Sequence, residues 1–198
     1  MTHYIEGIED KTPLREDFTR TFTGALRAEQ RARSISSGQY TVVAHEDPAK
    51  CIANLQYNNT ANPDSLTTII ADYVMVNART PKGTPPKPSL YVLAEQFSKQ
   101  PQLFTRVPLI IMYSGKPSSE IISDPSFQQF VEFARTNPEG TPAIGYRGKS
   151  GDLQGDIIDL FRLVKRNEEG VGLKTIGAYR TAFHTDTRAV RYVLKDLK

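Results

Sequence analysis

The chain has 198 residues, 38% of them hydrophobic and 24% charged, and its 25 basic and 22 acidic residues leave a net charge of +3. A chain of this length buries roughly 70% of its unfolded surface, so it needs neither disulfide nor metal to hold a core. The charge excess is too small for the clustered basic footprint of a nucleic-acid binder, the single Cys51 forbids an internal disulfide, and the longest mainly apolar run, Val107 to Tyr113, is far short of the ~20 residues of a membrane span.

The opening Met1-Thr2-His3-Tyr4-Ile5-Glu6 is polar at once, which predicts no signal peptide in the chain as it stands. His3 to Ile8 reads as a strand. Leu14 to Ile35 reads as a helix, with Leu14, Phe18, Phe22, Ala25 and Leu26 at three- and four-residue steps and Thr12-Pro13 as its cap and first turn. Ser36-Ser37-Gly38 breaks the chain before a strand from Gln39 to Ala44. Asp47-Pro48 starts a second helix over Ala49 to Tyr57, Asn58 to Asp64 is turn chemistry, and the β-branched run from Leu66 to Ile70 is a strand. Thr80 to Pro88, with five Pro and Gly residues, is the strongest linker signal.

Past the linker the pattern predicts a helix over Ser89 to Ser98, a strand over Val107 to Tyr113 and a break at Gly115-Lys116-Pro117. A helix over Ser126 to Arg135, ended by Asn137-Pro138-Glu139-Gly140, and a strand over Ala143 to Tyr146 come next. A glycine loop, a helix over Leu153 to Lys165, a strand over Leu173 to Ala178 and a helix over Asp186 to Leu197 complete the chain. Strands alternating with helices predict an α/β protein: a mainly parallel sheet with helices on both faces and ligands beyond the carboxyl ends of the strands. The Pro-rich break divides the chain into a first lobe, residues 1–85, and a second, residues 86–198.

The most suggestive local feature is the stretch Ala143 to Asp152, which holds Gly145, Arg147, Gly148, Lys149, Ser150 and Gly151 between a strand and a helix. Backbone N–H groups at such a helix start favour an anion. Arg147 and Lys149 add charge and Ser150 a hydroxyl, so a carboxylate or phosphate finds several donors. The alternative is a P-loop-like nucleotide-binding protein using Gly148-Lys149-Ser150, against which Ala143 replaces the first glycine of that motif. A plain glycine turn with solvated charges is the third reading.

Other residues have ordinary expectations. Cys51, beside Ile52 and Leu55, reads as a buried small hydrophobe. His45 reads as an exposed loop histidine, and His3, His45 and His184 show no zinc-ligand spacing. Glu16 and Arg20 stand at i,i+4 spacing as a surface pair. Arg180, Arg188, Arg191, Lys195 and Lys198 give a basic end that reads as a solvated helix face, with a nucleic-acid or partner-binding module as a further alternative.

A longer-range order of features goes further. Glu16 and Arg20 are followed by Tyr40-Thr41-Val42-Val43, Ala53-Asn54-Leu55 and Asn62-Pro63-Asp64-Ser65-Leu66-Thr67. Later come Phe133-Ala134-Arg135-Thr136-Asn137-Pro138, the strand, loop and helix from Ala143 through Phe161, and Gly177-Ala178-Tyr179-Arg180-Thr181. This order resembles the periplasmic solute-binding proteins of tripartite tricarboxylate transporters, the Bug or TctC-like family, as a divergent or truncated member. The resemblance implies a non-enzymatic, monomeric, periplasmic binding protein that closes two lobes on a small carboxylate for membrane transporter subunits, with no cofactor, no metal and no nucleic acid. The ligand residues it implies are Gly148, Ser150 and Gly151, with Thr67 and Tyr179 across the cleft and Thr12 as a stand-in for a missing glycine pair. Arg147 and Lys149 then act as charge-assisted donors.

Overall fold

In the computed structural model, the residues described are 2–9, 11–33, 40–72, 109–125 and 143–169, together with Ser89, Val92, Leu93 and Gln96. Five strands form one sheet: β1 (His3–Ile8), β2 (Tyr40–His45), β3 (Leu66–Ala71), β4 (Leu109–Ser114) and β5 (Ala143–Gly148). The order across the sheet is β2-β1-β3-β4-β5 and every pairing is parallel. The sheet therefore takes strands from both sides of the Pro-rich stretch. Among the described residues the helical elements are α1 (Thr12–Arg33), α2 (Pro48–Ala61), α3 (Ser118–Ser123) and α4 (Leu153–Glu169). No described helix is long and apolar enough to cross a membrane.

Register fixes which side chains share a face. Ile5 lies beside Val42 and Thr68, and Ile111 beside Ile70 and Gly145, so odd positions of β1, β4 and β5 join even positions of β2 and β3. That face carries Ile5, Ile70, Leu109 and Ile111, which pack with Phe18, Phe22 and Leu26 of α1 and Ile157, Leu160, Phe161 and Val164 of α4. The opposite face of β1 presents Glu6 to Asn54 and Asn58 of α2. Helices thus cover both faces, and burial on both sides is why β3 and β4 read as nearly continuous apolar runs.

Local sequence explains the boundaries. Asp47 is extended at φ −152° and accepts a hydrogen bond from Lys50 N–H at 2.9 Å, with Pro48 in the first turn of α2. The same helix continues through Asn58 to Ala61, past the turn expected from Asn58 onward, because the Asn58 amide side chain is bonded to Glu6 and buried. Helix α1 begins at Thr12 itself, so Thr12 is inside the helix. Strand β5 runs on to Gly148, which places Arg147 and Gly148 in the ladder beside Tyr113 and Ser114 and outside the glycine loop. Helix α3 was not anticipated after Pro117. Ser89, Val92, Leu93 and Gln96 are helical. The linker at 80–88, the helix expected over 126–135 and everything after residue 169 lie outside the described residues.

Candidate functional site

The carboxyl ends of β1, β3 and β5 bring three charged side chains together. Each stands one residue past its strand, where the ladder continues for one bond more. Glu9 N–H donates to His45 C=O at 3.0 Å, Asp72 N–H to Ile8 C=O at 3.0 Å, and Lys149 N–H to Ser114 C=O at 2.8 Å. The Lys149 ammonium then reaches over β4, with its Nζ 2.7 Å from Asp72 Oδ2 and 3.2 Å from Glu9 Oε2. Nζ also lies 5.2 Å from the centre of the Tyr113 ring. In this strand order the chain reverses between β1 and β3, the place where doubly wound sheets bind their ligands.

The three groups are partly buried, with 13% of Glu9, 19% of Asp72 and 26% of Lys149 side-chain surface exposed. Burial raises the Glu9 carboxyl above its usual range, against the pull of Lys149. Burial alone would lower the Lys149 ammonium, but the hydrogen bond and charge of Asp72, together with Glu9, more than reverse that and hold it up. Two carboxylates and one ammonium leave the site one negative charge in excess. A pocket of about 200 Å³ adjoins it, lined by Glu9, Asp72 and Lys149 together with apolar groups including Gly7, Leu14, Phe18 and Ile70.

A second network ties the site to α4. The buried carboxylate of Asp156 accepts from Ser150 N–H at 2.8 Å, Tyr113 O–H at 2.9 Å and Arg147 Nη2 at 2.9 Å. Arg147 Nη2 is also 3.0 Å from Asp159 Oδ2. Burial opposes the Asp156 charge, but these bonds, that of Ser150 foremost, outweigh it and hold the carboxyl below its usual range. Burial and the bond to Asp156 push the Tyr113 phenol up.

The residues expected to hold an anion are placed as follows. Arg147, Gly148, Lys149, Ser150 and Gly151 lie together at the carboxyl edge, but most of their charged and donor groups have other partners; the buried Arg147 Nε has none among the described residues. Arg147 is paired with two carboxylates, Lys149 with two more, and the N–H groups of Lys149, Ser150 and Asp152 donate to Ser114, Asp156 and Ser150 Oγ. With Ala143 to Gly148 extended in β5, a four-residue link, 149–152, remains between strand and helix. Thr67 sits beside Tyr4, near the amino end of β3, about six residues and so ~20 Å along the strand direction from the loop. Thr12 Oγ accepts from Arg15 at 2.7 Å. Tyr179 lies outside the described residues.

Several expectations are corrected by the packing. His45 is not a loop histidine: it ends β2, its side chain is 10% exposed, and its Nε2 is 2.6 Å from Glu6 Oε2. Arg20 pairs with Asp17. Cys51 is buried, as expected. Glu9, Asp72, Tyr113 and Asp156 were not anticipated. The available signal was the parallel sheet itself, since the first polar residue after each apolar strand run is Glu9, Asp72 or Ser114. No protein-family model and no curated protein matches the chain.

Proposed function

We propose that the chain is a receiver-type signalling domain, in which Asp72 accepts a phosphoryl group from a phosphoramidate or acyl phosphate donor with the help of a divalent cation. The observation that carries this reading is the Lys149 ammonium held between Asp72 and Glu9 at the β1/β3 reversal. The strand order is also that of flavodoxin and the chemotaxis response regulator.

The chemistry assigns separate roles. Asp72 is the acceptor: its carboxylate is the more exposed of the two and the one nearer Lys149. An electron pair on Asp72 Oδ forms the new O–P bond while the donor's P–N or P–O bond breaks. The leaving group departs with that bonding pair and takes a proton from water. Lys149 then pairs with the phosphoryl oxygens, exchanging a carboxylate for a phosphate as its partner. The all-oxygen donor set of Glu9 and Asp72, one negative charge in excess, fits a hard cation. When bound, that cation neutralises charge on the transferring oxygens. Glu9 is its holder, since a carboxyl whose ionisation is disfavoured by burial gains most from a cation beside it.

A solute-binding role is less well supported. A carboxylate ligand would have to displace four carboxylate contacts from Arg147 and Lys149.

The test is incubation of the chain with magnesium and a small acyl phosphate, followed by intact-mass measurement. One added phosphoryl group is expected, labile to hydroxylamine, suppressed by chelator and absent in Asp72→Asn. No adduct with acyl phosphate or phosphoramidate, or an adduct that persists in Asp72→Asn, would overturn the assignment.

A further inference from the structure

On the α2 side of the sheet a different set of groups converges. A carboxylate oxygen of Glu6, a ring nitrogen of His45 and Cys51 Sγ all lie within 4.8 Å of one another. They come from three elements: Glu6 from the middle of β1, His45 from the end of β2 and Cys51 from the first turn of α2. We propose that these three side chains form a binding site for a borderline-soft divalent cation of the zinc class.

Charge and hydrogen bonding point to a cation here. The Glu6 carboxylate is fully buried, and among the described residues its partners are His45 and the amides of Asn54 and Asn58, at 3.0 to 3.2 Å, with no lysine or arginine. A buried carboxylate needs hydrogen bonds or a cation to offset its lost hydration, and a divalent ion would add to the bonds already there. The Cys51 sulfur is also fully buried and forms no disulfide. A thiolate, an imidazole and a carboxylate are the ligand types that zinc takes. With Cys51 ionised and His45 neutral, a divalent ion brings the cluster to zero net charge.

The two ligands already in contact need little rearrangement, and the Cys51 sulfur, within 4.8 Å of both, closes on them. Two ligands about 2.0–2.1 Å from one tetrahedral ion stand about 3.3 Å apart, so His45 Nε2 and Glu6 Oε2 must part from 2.6 Å by less than an ångström. Asn54 and Asn58 already donate to Glu6 and would orient it as outer partners do. On binding, the Cys51 S–H bond breaks, its proton leaves to water, and the sulfur electron pair is shared with the metal. His45, the most exposed of the three, marks the way in.

The test uses the full chain, stripped with chelator and titrated with cobalt(II), then with zinc against a chromophoric competitor. One equivalent of cobalt is expected to give a thiolate-to-metal charge-transfer band, displaced by zinc. Cys51→Ser is expected to abolish the band and to weaken zinc binding by more than the 10–100-fold typical of losing an outer partner, the effect expected of Asn54→Ala. Asp72→Asn is expected to leave the band unchanged. Absence of binding in the unaltered chain would overturn the proposal, and so would cobalt bound without the thiolate band. Because both readings come from the unaltered chain, a Cys51→Ser chain that failed to fold would not blunt the test.

Discussion

Lys149 and Asp72 stand 77 positions apart in the chain and meet at 2.7 Å across the carboxyl edge of the sheet. The contact exists because both residues are the first past their strands and the ladder of a parallel sheet carries all strand ends to one edge. Removing Lys149 leaves two half-buried carboxylates facing each other. Lys149→Ala is therefore expected to lose about 1–3 kcal/mol, less than the 3–5 of a fully buried pair because water screens this one. Asp72→Asn in the same background should recover part of it. Urea unfolding of the single and double variants checks both.

The pH dependence of the same cluster has two limbs. Lys149 is held above its usual 10.5, so its pairing contributes fully below that pH and is lost as pH rises through the higher folded-state value. Glu9 is raised above 4.5, so the folded state holds its proton more tightly. Its contribution is present below 4.5 and is lost as pH rises through its folded value. Lys149→Met should remove the alkaline limb from a stability curve measured by denaturant titration.

A divalent cation should compete with the proton for the Glu9 carboxylate. Magnesium is expected to raise the melting temperature at neutral pH, with a gain of about 2.7 kcal/mol at a hundred times its dissociation constant. Glu9→Gln should abolish the rise. The effect should fade as pH falls through the raised Glu9 value, because the proton then competes for the same oxygen. Thermal melts at fixed ionic strength read this directly, and an equal rise in Glu9→Gln would remove Glu9 from the cation site.

Much of the architecture was legible in the chain, and much of the site was not. Apolar runs bounded by turn residues marked all five strands, and Asp47-Pro48 marked the start of α2, because those signals act locally. The β5 boundary was misjudged since Arg147 and Gly148 look like loop residues; they extend the strand because Arg147 finds Asp156 and Asp159 on α4. His45 looked exposed for the same reason: its partner Glu6 is 39 positions away. Lys149 drew attention as a cation among glycines, but its meaning depends on Glu9 and Asp72, which strand order alone brings beside it.

Asp156 gives an acid-side test independent of Lys149. Its carboxyl is held below the usual 3.8, so the stability it contributes is present above that pH and is lost as pH falls through the lower folded value. Asp156→Asn removes the charge and turns one of its two acceptor oxygens, Oδ2 shared by Ser150 and Tyr113 or Oδ1 used by Arg147, into a donor. It should cost about 1–3 kcal/mol near neutrality and flatten the acid limb. Tyr113 should then titrate closer to its usual pH, which ultraviolet difference spectra can follow.

Gly7 tests the packing beneath the site. A Cβ at this position would lie 2.7 Å from Phe18 Cε1 and 3.3 Å from Ala44 Cβ, so the absence of a side chain is what lets α1 approach β1 beside Glu9. The Phe18 ring is buried against Phe22, its centroid 5.4 Å away, so it must shift toward the adjoining pocket to make room. Gly7→Ala is expected to cost about 1–3 kcal/mol by overpacking. The strain should be relieved by shortening the opposing ring, so Phe18→Leu combined with Gly7→Ala should lose less than the two single changes added together. A double-mutant cycle in urea decides the point: strict additivity would show that Gly7 and Phe18 do not press on one another.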